Sequence, residues 1–246
     1  MALKLLYRNL LHTVDNHGLR GLFQKAVPPV PGPGYAPHLP HPFDLAHGVD
    51  TSGFVPGESL VSGSPSDLYN TAYWAISPST LRQACAALPF RPGDFTFVDL
   101  GCGKGRALLV AAQQGFAAVL GVELSPSLAQ VARANAATLS GDAIRSGITI
   151  RTQDAASVLF PPGPLLVFLY RPFLDPLLRR VLRNLLHQQD GRPVYLLFAN
   201  PPKPALIARF PALALCWTLD CDLSPEDRDA DRHGIFFERY RLYQVA

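Results

Sequence analysis

Phe97-Val98-Asp99-Leu100-Gly101-Cys102-Gly103-Lys104-Gly105-Arg106, read FVDLGCGKGR, decides the fold of this chain. An apolar run from Phe95 to Leu100 leads into it, and a helical pattern from about Lys104 to Gln114 leaves it. Glycines at 101, 103 and 105 let a strand turn sharply into a helix and let backbone approach a ligand closely at the helix N-terminus. Further on, short apolar runs at Ala118 to Leu124, Ile148 to Thr152, Leu165 to Tyr170 and Val194 to Ala199 alternate with longer helical stretches. Those stretches are Ser125 to Leu139 and Asp175 to Gln188, each opening on a capping residue followed by Pro. Such alternation predicts an α/β, Rossmann-like doubly wound sheet with right-handed crossovers and helices on both faces. Apolar runs near Leu213 to Leu219 and Ile235 to Val245 predict a closing pair of strands.

The charges around the loop select the ligand. A dinucleotide fingerprint needs a third glycine for close helix packing, and Arg106 occupies that position. Asp99, two residues ahead of the first glycine, would repel a pyrophosphate but suit a ligand bearing an ammonium group. S-adenosylmethionine, with a zwitterionic amino-acid end and a positive sulfonium, meets that requirement. Glu123, at the tip of the second strand, is then the acceptor for ribose hydroxyls, and Asp154, just past the third strand, for the adenine amino group. A nicotinamide-dependent oxidoreductase is the competing reading, disfavoured by Arg106 and Asp99.

FVDLGCGKGRALLVA, GVELSP and QDA together resemble the first three cofactor motifs of class I S-adenosylmethionine-dependent methyltransferases. With GVDTSG at Gly48 to Gly53 and LYRPF, the chain from about Phe43 onward is similar to a group of bacterial methyltransferase-like proteins. The glycine loop alone is also similar to that of the non-SET histone lysine methyltransferases. The resemblance implies a seven-stranded sheet whose last strand is antiparallel, with the cofactor across the C-terminal strand edge. Its matching residues here are Asp99, Gly101, Gly103, Gly105, Glu123 and Asp154.

Methyl transfer from a sulfonium is an in-line displacement, so the protein mainly positions the acceptor, and a base is needed only if the acceptor arrives protonated. The loop after the fourth strand borders the methyl group, which makes Tyr170, Pro172 and Phe173 the candidate transfer residues: a hydroxyl and a substrate wall. Nucleobase and glutamine methylases carry an Asn or Asp carbonyl there, and this loop has none before Pro172. The suggestive FANPPK, Phe198 to Lys203, belongs to the fifth strand, where Asn200 is read first as a turn former and then as a pocket-edge residue. Thr51 and Tyr73, in a polar segment without periodic core pattern, are expected to line the cofactor or acceptor pocket.

Composition bounds the rest. At 246 residues and 48% hydrophobic, the chain supports one packed domain with an appended segment. Residues 1–26 carry Lys4, Arg8, Arg20 and Lys25 against Asp15 and read as an amphipathic helical extension. Packing of that helix on the body is expected, with docking to a partner or a membrane surface as the other readings. Residues 27–42 are a Pro/Gly-rich linker, 43–90 a cap and substrate segment, and 91–246 the cofactor-binding core.

The body outside residues 1–26 balances 18 basic against 18 acidic side chains, which argues against nucleic acid as the partner. His38, His41 and His47 and four unpaired-looking cysteines give no metal-ligand frame. No apolar run reaches the roughly 20 residues of a membrane span, and the expectation is a cytoplasmic protein. The expected activity is methyl transfer to an acceptor read as a lysine side-chain nitrogen. Small-molecule methylation and a non-catalytic regulatory protein keeping the fold are the alternatives.

Overall fold

Along Leu165–Tyr170 the side chains alternate between two buried faces: Leu165, Val167 and Leu169 enter one core, Leu166, Phe168 and Tyr170 the other. A strand apolar on both faces belongs in the middle of a parallel sheet covered by helices, and that is where it lies. The computed structural model describes residues 40–139, 147–230 and 237–246. The N-terminal helical extension and the linker up to residue 39 lie outside these.

The sheet has seven strands, β1 (Thr96–Leu100), β2 (Ala118–Glu123), β3 (Ile148–Thr152), β4 (Leu165–Tyr170), β5 (Val194–Ala199), β6 (Leu213–Asp222) and β7 (Phe237–Val245). Their order is β3-β2-β1-β4-β5-β7-β6. β7 is antiparallel to both its neighbours and the other contacts are parallel, as the resemblance implied. The order reverses beside β1, so the crevice beyond the C-terminal ends of β1 and β4 is where a ligand can enter.

The described α-helices are α1 (Pro42–His47), α2 (Pro78–Ala86), α3 (Arg106–Gln113), α4 (Pro126–Thr138), α5 (Asp175–His187), α6 (Pro204–Ile207) and α7 (Pro225–Ala230). α5 buries Leu177, Leu178, Val181, Leu182 and Leu185, a single stripe at helical spacing, against one face of the sheet. On the other face, with α2 and α3, Phe97 is fully buried, its ring 5.2 Å from that of Phe116 and 5.5 Å from that of Phe168. Ser125 caps α4 through the Leu128 amide. Asp175, expected to cap α5, is instead its first helical residue; Leu174 takes the cap position, and Asp175 pairs with Arg179 one turn on at 3.7 Å. None of the described helices is long and apolar enough to cross a membrane.

The aperiodic segment before α2 is built from side-chain hydrogen bonds and short turns. The Nδ1 of His41 accepts from the Phe43 amide to cap α1, and its Nε2 lies 3.2 Å from Asp227 on α7. His47 meets the Gln113 amide group at 2.8 Å, so both histidines fasten α1 to the core. One-turn 3-10 helices at Gly57–Ser59 and Pro65–Tyr69 follow, and bridges Val55–Tyr73 and Asn70–Phe173 close the segment over the sheet edge.

Buried Asn135 on α4 joins this segment to the glycine loop. It accepts from the Asp50 amide at 2.8 Å and donates to the Asp50 and Lys104 carbonyls at 2.7 and 2.8 Å. Asn135→Ala leaves those groups without their partner, so urea denaturation should show a loss of about 1–3 kcal/mol. An unchanged midpoint would mean that the link carries no stability.

Candidate active site

The loop that ends β1 sits at the crevice because glycine alone fits its course. Gly101 has φ +85° and a side chain there would collide with Pro172; Gly103 has φ +55° and would collide with the Tyr73 ring. Two sequence-predicted neighbours therefore pack directly on the loop. Gly105, at φ +89°, caps α3 and faces Leu108 and Ala132, and so serves helix packing rather than lining the cleft.

A cleft of about 800 Å³, counted to its open mouth, is lined by Asp99, Gly101, Gly103, Arg106, Glu123, Asp154, Tyr73, Tyr170, Pro172 and Phe173, together with Trp74, Leu128 and others. Nearly every residue predicted for cofactor or transfer is thus brought to one place. The exception besides Gly105 is Thr51, which is fully buried behind Arg106: its hydroxyl contacts Asp44 and accepts from the Arg106 Nε at 2.6 Å. Thr51 supports the lining without belonging to it, while Tyr73 reaches the cleft and donates its hydroxyl to the Thr51 carbonyl at 2.6 Å.

Charges of both signs line the cleft. Two are buried acids: burial, then the Glu123 charge, push the Asp99 carboxyl well above the usual carboxylate range. Burial likewise raises Glu123, although its carboxylate accepts from the Gly103 and Ser125 amides, each at 2.8 Å. Asp154 accepts from Ser66 Oγ at 2.6 Å and from the Ala156 amide at 2.8 Å, which fixes its carboxylate at the cleft edge. The cation is the buried guanidinium of Arg106, paired with Asp44 at 3.5 Å and bonded to Ser52 Oγ at 3.1 Å. Burial works to raise Asp44, but Ser52, Thr51 and Arg106 together hold it below its ordinary value.

Sequence reasoning met Arg106 only as a missing third glycine; here it lines the cleft as its buried cation. It also missed Glu238 on β7. That residue is 1% exposed, contacts the Thr80 hydroxyl, accepts from Tyr240 at 3.3 Å and is hydrogen-bonded by Tyr170. Burial lifts Glu238 to about 7 despite those hydrogen bonds. Nothing local in GIFFERY marks a buried acid, since its environment comes from α2 and β4.

Asn200 ends β5 with φ +52° and exchanges hydrogen bonds with the Arg239 backbone, so its turn role is real. It also lines a second cleft, with Arg171, Lys203, Phe198 and Asp175, that adjoins the first through Thr71, Pro172 and Phe173.

Residues 97–186 match the family model described as a methyltransferase domain. The fold resembles that of magnesium protoporphyrin IX methyltransferase from Synechocystis PCC 6803, solved with its methyl donor bound. Identity is 18% over 69% of this chain and 79% of that one, at a TM-score of 0.51. The 23S rRNA methyltransferase ErmE is similar at 13% identity over 71% of this chain and 70% of its own, at a TM-score of 0.50. No curated protein sequence matches the chain. The fold is that of the class I methyltransferases, and residues 97–186 are similar to the methyltransferase-domain family.

Two predictions concern the buried charges. Asp44→Ala strands the Arg106 guanidinium and should cost about 3–5 kcal/mol in urea denaturation; a loss below 1 kcal/mol would mean that the pair is solvated. For Glu238 the folded value lies above the unfolded one. Its contribution is therefore fully present below the ordinary 4.5 and lost as pH rises through about 7, a fall of about 3 kcal/mol. Glu238→Gln should flatten that part of the stability-against-pH curve, measured between about pH 4 and 8; an unaltered curve would show that Glu238 is not the titrating group.

Proposed function

We propose that the chain is an active S-adenosylmethionine-dependent methyltransferase whose cofactor lies in the first cleft. The observation that carries this is the set of charges around the glycine loop. Asp99 is a buried acid whose burial cost an ammonium group would reduce, and Arg106, already paired with Asp44, adds the cation that also lines the cleft. Glu123 and Asp154 are the candidates for ribose hydroxyls and the adenine amino group, and Gly101 and Gly103 give the backbone access such a ligand needs. Bound there, the cofactor supplies an electrophilic methyl group, and the chain's own residues orient the acceptor and exclude water around it.

Tyr170, Pro172 and Phe173 are the transfer-edge residues in this reading, with the acceptor entering from the adjoining cleft along Thr71 and Phe173. The acceptor class we favour is a protein side-chain nitrogen, that of lysine. Its support is the likeness of the glycine loop to the lysine methylases, together with a second cleft adjoining the first. Residues 43–90 act as the cap that selects the acceptor and 91–246 as the core. Four free cysteines fit a reducing, cytoplasmic setting.

Titration calorimetry tests the central reading. Wild-type protein should bind S-adenosylmethionine and its demethylated product, and Asp99→Asn should weaken binding about 10- to 100-fold, the loss of a hydrogen bond to a charged group. Absence of binding to either ligand would end it. Labelled methyl from the donor should then appear in the protein fraction of a lysate; label confined to the nucleic acid or small-molecule fraction would overturn the acceptor class.

A further inference from the structure

A methyl acceptor with a reference pKa near ~10.4, such as a lysine amine, must lose a proton before its lone pair can be used. The cleft therefore needs an outlet for that proton. Glu123 already accepts from the Gly103 and Ser125 amides, and Asp99 faces the Glu123 charge, which opposes its ionisation. At the transfer edge itself the chain places Tyr170, and behind Tyr170 is Glu238.

The alignment is set by strand register. Tyr170 is opposite Ala199 and Ala199 opposite Tyr240, so the three form one row across β4, β5 and β7. Glu238, two residues before Tyr240, shares its face of β7, and it accepts a hydrogen bond from Tyr170. Every element packed around Glu238 presents a polar or ionisable group to it. α2 gives Thr80, β4 gives Tyr170, β7 gives Tyr240, β6 gives Cys221 opposite Glu238 in the ladder, and α7 gives Asp227, itself paired with His41. Of these, Tyr170 alone also lines the cleft.

The donors in this cluster leave room for one more proton. Thr80 has a single hydroxyl hydrogen, yet its oxygen is bonded both to the Ser77 carbonyl at 2.9 Å and to Glu238. With Glu238 ionised, Thr80, Tyr170 and Tyr240 donate to it, and the Ser77 carbonyl keeps the Leu81 amide at 3.3 Å. With Glu238 protonated, the carboxyl donates to Thr80, which in turn donates to Ser77. Both states keep the buried polar atoms paired, so gaining a proton does not orphan any of them.

Resting on the amine-acceptor reading above, we propose that Glu238 is the proton store of the transfer site, a positioning residue that acts through the Tyr170 hydroxyl. The acceptor N–H bond breaks with its electron pair left on nitrogen, and its proton passes to Tyr170 Oη. The hydrogen of Tyr170 passes at the same time to the Glu238 carboxylate, which becomes a neutral carboxyl. The step moves one proton and needs no oxidant or reductant. Burial sets the store in a useful range, since a carboxyl near 7 is part ionised, and able to accept, at neutral pH.

The test is infrared titration of the full chain saturated with S-adenosylhomocysteine. The band that titrates near pH 7 and disappears in Glu238→Gln is the Glu238 carboxyl. Tyr170→Phe removes a hydrogen bond to the ionised form, so its midpoint should move upward; a midpoint left in place means that the two are uncoupled and overturns the proposal. The same variants, assayed with n-butylamine as the acceptor and labelled S-adenosylmethionine, give the kinetic readout. Wild-type rate should rise with pH through about 7. Both Glu238→Gln and Tyr170→Phe should lose that limb and slow about 100-fold, the scale of general-base catalysis, with Glu238→Asp restoring part of the rate. A full wild-type rate in Glu238→Gln overturns the store. Calorimetry separates the two failures: absent cofactor binding by wild type sinks the methyltransferase reading, whereas intact binding with uncoupled Glu238 sinks the proton store alone.

Discussion

A guanidinium buried at the first residue of a helix is in the worst place for a cation, because the helix N-terminus is already positive and water is excluded. Arg106 occupies that place, 6% exposed, and the structure is arranged around neutralising it. The neutralising carboxylate, Asp44, belongs to α1, and it is itself held by Thr51 and Ser52. The segment ahead of the sheet therefore cannot move off the glycine loop without exposing a charge pair in apolar surroundings. GVDTSG and DLGCGKGR, distant in the chain, form one unit: Asp50 takes the Lys104 ammonium at 2.7 Å while Thr51 and Ser52 take Arg106.

That unit in turn places Tyr73. Its hydroxyl is tied to the Thr51 carbonyl and its ring lies on Gly103, with the Lys104 ammonium 5.9 Å from the ring centroid. The cleft wall is thus a consequence of the ion pair behind it. The acids of the cleft differ in kind, since their cost of burial is left partly uncompensated by protein cations. Asp99 has Glu123 rather than a lysine as its charged neighbour, and each is driven toward protonation. A ligand carrying an ammonium group or hydroxyl donors lowers that cost, whereas a pyrophosphate raises it. The same asymmetry that separates the two cofactor classes in the sequence is therefore an energetic property of the folded cleft.

The sheet was legible because both signals that specify it are local. Period-two apolar runs mark strands, and capping residues before Pro mark helix starts, so β3, β4 and β5 fall on the residues expected. The strand-end positions of Asp99, Glu123 and Asp154 follow from the same pattern, since parallel strands deliver their C-terminal residues to one edge. Thr51 was misplaced for a physical reason. A polar side chain in an aperiodic segment can face a pocket or satisfy a buried charge, and only the distant Arg106 decides between the two. Arg106 illustrates the converse: in sequence it is an absent glycine, and its value as a cation depends on Asp44, brought to it by tertiary packing.

Glu238 was the least legible, and the cause is topological. A parallel strand reaches the cleft with its last residues, so the residues before each crossover are the natural candidates. β7 runs the other way, and its first residues are the ones at the ligand edge. A site residue therefore arrives from the start of the final strand, where sequence reading looks for closure of the sheet rather than chemistry. Which face of β7 the acid occupies depends on register against β5. A one-residue slip would send Glu238 to the opposite face and an arginine into the α2 side in its place. The antiparallel strand and the buried acid are consequently one feature: reversing the last strand is what allows the C-terminal segment to place a carboxyl behind the transfer-edge tyrosine.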